Sequence, residues 1–177
     1  MNKITTPLTD EVVRSLRSGD EVVISGIVYA ARDAAHKRLC GLIEKGEQLP
    51  IPIKGEVFYF VGPTPGRPGR VIGSAGPTTS ARMDRFSPVL LAAGLKGMIG
   101  KGCRDSAVRD ALKKYCAVHF SALGGAGALL SRYIVSAEVV AYENLGAEAI
   151  RKLEFKDFPA IVAYDSYGNS VFNEAGG

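Results

Sequence analysis

Short β-rich runs and short helical segments alternate irregularly along this chain, and that order rules out most regular architectures. A helical stretch at 9–19 has Thr9 as a cap and Gly19 as a stop. Residues 21–30 are β-rich, and a helix is expected from Asp33 towards Glu44. Residues 57–61 read as a strand and 62–69 as a turn-rich loop. Residues 87–94 read as helix and 95–100 as a short buried strand. A helix over 105–115 places Ala107, Val108, Ala111 and Leu112 on one face. Further on come a strand at 132–142, a short helix within 143–153, and a hairpin-like ending at 160–172 that turns at 165–169. A regular doubly wound sheet needs a stricter alternation, so the expectation is an α/β domain with a mixed sheet and helices packed on it. A chain of 177 residues suits one domain with one sizeable core, taken as residues 1–177.

Several functional classes are excluded at this level. No apolar run approaches the roughly 20 residues of a membrane span. The opening Met-Asn-Lys-Ile-Thr-Thr-Pro has no apolar core of a secretory signal, so a cytoplasmic protein is expected. Cys40, Cys103 and Cys116 are odd in number, scattered and free of any CxxC spacing, and read as buried or half-buried free thiols. The two histidines, His36 and His119, do not add a metal or cluster motif. Lys and Arg total 22 against 18 Asp and Glu, a net charge of +4. The basic residues are dispersed and aromatics do not interleave with them. The balance therefore fits a solvated surface or a site for anions better than a nucleic-acid interface.

Four segments carry candidate chemistry. In Ala31-Arg-Asp-Ala-Ala-His-Lys37, Arg32 and His36 are four apart and share a helix face just after a strand, a common ligand position in α/β sheets. A solvated helix start with Asp33 as N-cap accounts for the same spacing. In Gly76-Pro-Thr-Thr-Ser-Ala-Arg-Met-Asp84, three hydroxyls follow Gly-Pro at a predicted helix start, with Arg82 four residues after Thr78. Free backbone N–H groups there suit an anion, and arginine grips a carboxylate through two parallel bonds. The alternative is an N-cap with an exposed arginine. In Gly97-Met-Ile-Gly-Lys-Gly102, Lys101 sits between glycines at a strand–helix junction, either contacting a carboxylate or solvated on a glycine turn. Gly124-Gly-Ala-Gly127 permits close backbone approach, and His119 nearby reads as a satisfied or half-buried histidine.

Together with Ser25-Gly26 and Asp157-Phe-Pro-Ala160, these segments resemble the C-terminal domain of class I, iron–sulfur fumarases. The same domain is the separate β-subunit of two-subunit fumarases and of L(+)-tartrate dehydratases. The resemblance covers nearly the whole chain. It implies a swivelling β/β/α domain, a partly closed mixed sheet with packed helices. It implies reversible hydration of fumarate to L-malate, with a [4Fe–4S] cluster as Lewis acid on substrate oxygens. It places that cluster on an α-subunit and not on this chain, which acts with that partner on a small dicarboxylate; the small residues of Gly124 to Gly127 suit packing on another chain, so an obligate oligomer is expected. It implies that Arg32 and Arg82 grip the substrate carboxylates, that Thr78 stands at the base position, and that Lys101 binds a carboxylate or hydroxyl. Thr79 belongs beside the substrate, and Asp33 and His36 behind it as supporting or proton-relay groups. Dehydration of tartrate to oxaloacetate is the alternative reaction, and a non-catalytic organic-acid binder is the alternative of another class.

Overall fold

The computed structural model describes residues 2–123 and 127–172. The chain opens with strand β1 (Asn2–Thr5) and helix α1 (Asp10–Ser15), the latter capped by the Thr9 hydroxyl. Then come β2 (Glu21–Ala30), α2 (Asp33–Glu44) and β3 (Val57–Tyr59). A short 3-10 turn, Ser80–Met83, precedes α3 (Ser87–Ala92), β4 (Gly97–Gly100), α4 (Ser106–Lys114) and β5 (Val118–Ala122). The four-residue α5 (Gly127–Leu130), β6 (Ile134–Ala141), a 3-10 stretch (Glu143–Glu148) and β7 (Ile150–Tyr164) complete the described order.

Strands β2, β3, β4 and β5 are neighbours in that order and run parallel. The long β7 pairs antiparallel with β5 along its second half and with β2 along almost its whole length, from Ala30↔Arg151 to Glu21↔Ile161. The five strands thus close into a ring. β1 lies parallel against the first half of β2, and β6 antiparallel against the first half of β7. The mixed sheet with packed helices expected from the sequence is what forms.

Alternation along the ring builds two cores. Val57, Tyr59, Ile99, Val118 and Phe120 fill its interior with Phe155, Phe158 and Val162. Phe58, Phe60 and Met98 point the other way, onto Leu39 of α2, Leu90 of α3 and Leu112 of α4. Both faces of the parallel strands are buried, which is why their sequences read as near-continuous apolar runs.

The helix anticipated within 143–153 shrinks to the 3-10 stretch, broken at Gly146, and Ile150 already belongs to β7. β7 survives Asp157, which has a φ of 53°, because a bulge there meets a register shift of β2 between Ile24 and Gly26. Asp157 N donates to Ser25 Oγ at 2.9 Å across that bulge. The Ser25-Gly26 and Asp157-Phe-Pro pieces therefore meet each other and close the ring, a constraint that local propensity does not contain. The hairpin-like ending is the tail of β7 followed by a turn on Asp165 and one antiparallel bridge, Tyr164↔Ser170. Of the small-residue segment, 124–126 lie outside the described residues. Gly127 packs against Ser74 and Gly76, where a side chain would collide. Among the described residues no helix is long and apolar enough to cross a membrane.

His36 lies in the outer core, fully buried against the rings of Phe58 and Phe60 and near Phe86. Neither ring nitrogen has a hydrogen-bond partner of normal geometry. Burial first, and the charge of Arg104 second, lower its pKa to about 3, offset only in part by the Ala31 backbone and Asp33. The unfolded chain binds this proton below about pH 6.5 and the folded chain only near 3, so stability is lost as pH falls through that window. His36→Leu should abolish about 2–3 kcal/mol of the stability lost between pH 7 and pH 4.5. Denaturant unfolding at both pH values checks this, and parallel losses in parent and variant would contradict it.

Candidate functional site

The parallel strands deliver their C-terminal ends to one rim, where ligands of open α/β sheets commonly bind. Arg32 and Asp33 follow β2, Gly62 follows β3, Lys101 follows β4, and Ala122 ends β5. Gly62, Ser74, Pro77, Lys101 and Ala122 are among the residues around an open pocket of about 350 Å³.

The Gly76–Asp84 segment crosses this rim as an added parallel stretch. Thr78 N donates to Phe60 O at 2.7 Å, Thr79 bridges Lys101, and Ser80 N donates to Lys101 O at 2.8 Å. These bonds occupy the backbone donors of Thr78 and Ser80. The expected helix start is only the 3-10 turn, with Thr79 as an N-cap whose side chain makes no capping bond. Thr78 and Thr79 thus present side chains rather than a row of free amides. Among the described residues, neither hydroxyl nor the Lys101 ammonium has a protein partner.

A second group sits at the start of α2. The N-cap there is Arg32, not Asp33, and the amide of Ala34 is taken by Glu148 Oε1 at 3.2 Å. The Asp33 carboxylate is thereby free to hold Arg82, whose Nε and Nη2 each lie 3.0 Å from Oδ2. Arg32 Nε stands 3.9 Å from Asp33 Oδ1, too far for a hydrogen bond, and both atoms are buried without a hydrogen-bond partner. Arg32 also lies against Gly62, where an added Cβ would come within 2.9 Å of its Cδ and Nη1. Two guanidinium groups thus share one carboxylate, and their remaining donors exceed what the protein satisfies.

The structure therefore brings Arg32, Asp33 and Arg82 into one cluster and Thr78, Thr79 and Lys101 into another on the same rim. It does not bring His36 there: that ring packs among the phenylalanines of the outer core, because the helix turn that carries it faces the sheet. Sequence reading passes over Arg104, which is 3% exposed and holds Asp84 of the Gly-Pro-Thr-Thr segment by an Nε bond of 2.6 Å. A lone arginine before a helix carries no signal in a sequence; only burial marks it.

Cys40 is buried and Cys116 half-buried, as expected, but Cys103 is exposed, because it lies in the loop between β4 and α4. Among the described residues no three His, Cys, Asp or Glu side chains converge on a metal-sized site. Among the described residues the three cysteines do not come together as ligands of an iron–sulfur cluster.

The chain matches the family model described as Fumarase C-terminus over residues 2–175. It is 39% identical over 153 residues to "Fumarate hydratase class I, anaerobic" of Escherichia coli K12, covering 85% of this chain and 28% of that protein. It is 34% identical over 158 residues to "Fumarate hydratase 2" of Leishmania major, covering 88% and 28%. It is 35% identical over 173 residues to "Putative L(+)-tartrate dehydratase subunit beta" of Methanocaldococcus jannaschii, covering 94% of this chain and 89% of that one. The chain thus spans under a third of these two fumarate hydratases and nearly all of the tartrate dehydratase subunit. It belongs to the fumarase C-terminus family, whose relatives here are named fumarate hydratases and a putative tartrate dehydratase subunit.

Proposed function

We propose that this chain is the β-subunit of a two-subunit [4Fe–4S] hydro-lyase that interconverts fumarate and L-malate, active only with its α-subunit. The observation that carries this reading is the rim itself: two arginines at Asp33, beside a lysine and two threonines with no protein partner among the described residues. Such a set matches a small dianion with a hydroxyl. The match to full-length class I fumarate hydratases over less than a third of their length supports a partner that supplies the rest. The cluster belongs to that partner in this reading, since the cysteines here are dispersed.

The residues of this chain then have separable tasks. Arg32 and Arg82 hold the carboxylates, and Asp33 fixes the angle of the Arg82 fork. Removing the proton beside a carboxylate builds negative charge on that carboxylate. Donors already aimed there stabilise the transition state more than the ground state. Each charge-assisted hydrogen bond contributes roughly 1.5–3 kcal/mol. Thr78 is the base in this reading, and a hydroxyl serves as one only if its alkoxide is stabilised. Lys101 is the cation on the adjoining strand end, and Thr79, bridged to Lys101 through its backbone, adds a second hydroxyl. Dehydration of L(+)-tartrate to oxaloacetate is the second reading. It is favoured by the relative that this chain covers almost end to end.

The test is anaerobic co-expression with the α-subunit, followed by assay with L-malate and with L(+)-tartrate. Fumarate formed from malate, and lost in Thr78→Ala, is the expected result; oxaloacetate from tartrate with malate a poor substrate moves the assignment to the second reading. Neither product, from a complex carrying an intact cluster, would overturn both. Arg82→Lys keeps the charge but not the fork on Asp33, and should lower kcat by at least about tenfold; wild-type turnover would contradict the clamp. Gly62→Ala presses on the flexible end of Arg32 and on the Ala147 carbonyl 3.2 Å away. It should raise KM for malate about tenfold while shifting Tm by only a few degrees. An unchanged KM would remove Arg32 from the binding set.

A further inference from the structure

Beneath the rim runs a line of buried polar groups to which the dicarboxylate chemistry gives no task. Asp84 Oδ1 accepts from Arg104 Nε at 2.6 Å, and Asp84 Oδ2 accepts from the Asp105 amide at 3.0 Å. Arg104 Nη1 lies 3.2 Å from His119 Nδ1, and Nη2 donates to Ser87 Oγ. The Ser87 hydroxyl donates in turn to Met83 O at 3.0 Å, and the Arg104 amide donates to the Tyr164 hydroxyl at 2.8 Å. His119 Nε2 lies 3.2 Å from Ser80 Oγ. Ser80, Ser87 and His119 are fully buried.

The order of donors follows from chemistry. A guanidinium only donates, so His119 Nδ1 is the acceptor and the ring proton sits on Nε2. The neighbour of that proton is Ser80 Oγ. Burial, and then the Arg104 charge, hold the imidazole well below its ordinary pKa, so it stays neutral and its tautomer is set. Such a ring is a fixed strut, not a carrier of protons.

What the strut holds is the junction of the two rim segments. Ser80 Oγ occupies the space where a Cβ on Gly100 would stand, and the same Cβ would come within 2.9 Å of Phe60 Cδ2. The side chain of Ser80 is therefore wedged between the end of β4 and the His119 ring. Its amide bonds the Lys101 carbonyl, and the residue before it bridges Lys101. The groups flanking this peg are Thr78, Thr79 and Lys101.

We propose that His119, held by Arg104 and Asp84, is a positioning residue that acts through Ser80 to set the spacing of Thr78 and Thr79 from Lys101. Its consequence for turnover rests on reading this rim as a hydro-lyase site; the strut itself does not. Three substitutions separate its contacts. His119→Asn keeps an acceptor where Nδ1 meets Arg104 but reaches short of Ser80. His119→Gln extends an amide N–H to Ser80. His119→Leu loses both.

The experiment is hydrogen exchange and steady-state kinetics on the complex with the α-subunit. His119→Asn should speed exchange of the Ser80 amide at least about tenfold, and His119→Leu at least as much, while the amides pairing β2 with β7 keep the parent rate. His119→Gln should return it to within about threefold of the parent. In turnover, His119→Asn should lower kcat about tenfold or more and change KM less than about threefold, because the Arg32–Asp33–Arg82 cluster is untouched. Parent exchange at Ser80 in His119→Asn would overturn the proposal. So would equal acceleration of all amides in the Asn and Gln variants, which marks a purely structural histidine. If the complex turns over no dicarboxylate, the hydro-lyase reading fails, and the Ser80 exchange rate still decides the strut.

Discussion

Without the pairing of β7 to β2 there would be no closed ring. Four parallel strands alone form an open sheet with two edges. One long antiparallel strand, joined to β5 on one side and β2 on the other, turns them into a ring. Closure buries the inner side chains from Val22 to Val162 as one cluster and leaves the outer faces to α2, α3 and α4. The parallel order of β2, β3, β4 and β5 puts their C-terminal ends at one end of that ring. Arg32 and Lys101, far apart in the chain, come to the same rim because each follows one of these strands.

At the rim the charges are divided between anchored and unanchored groups. Asp33 neutralises part of the charge of Arg82 and approaches Arg32 without fully bonding it. Two adjacent guanidinium groups repel, and a shared carboxylate offsets that cost while leaving outward donors for an anion. Lys101 has no such anchor among the described residues. Its position comes from the backbone, through Thr79 and Ser80. The geometry thus separates groups held by a carboxylate from groups whose spacing depends on the packing below.

Much of this is legible in the sequence, and the exceptions share a physical cause. The apolar runs and the turn residues put β2, β3, β4, α2 and α4 nearly where they stand. The coincidence of Gly, Pro, three hydroxyls and Arg82 marks the segment that crosses the rim. The failures are tertiary. Arg151 to Leu153 join a strand because β2 is there to pair with them and Ile150 because Ala141 of β6 is, and Asp157 sits inside that strand because a bulge opposite Ser25 accommodates it. His36 and Arg32 share a spacing of four, yet Arg32 ends at the rim while His36 ends among phenylalanines. Arg104 and His119 belong to no sequence pattern, and their link to Asp84 and Ser80 exists only once β4 and β5 lie side by side.

If this rim is half of a dicarboxylate site that a second chain completes, calorimetric titration of L-malate separates the two halves of that statement. The titration is run on this chain alone and on its complex with the α-subunit. Binding by the chain alone is expected to be at least about a hundredfold weaker than by the complex, a difference of about 2.7 kcal/mol. Equal affinity in the two titrations would overturn the split site and make this chain a stand-alone organic-acid binder.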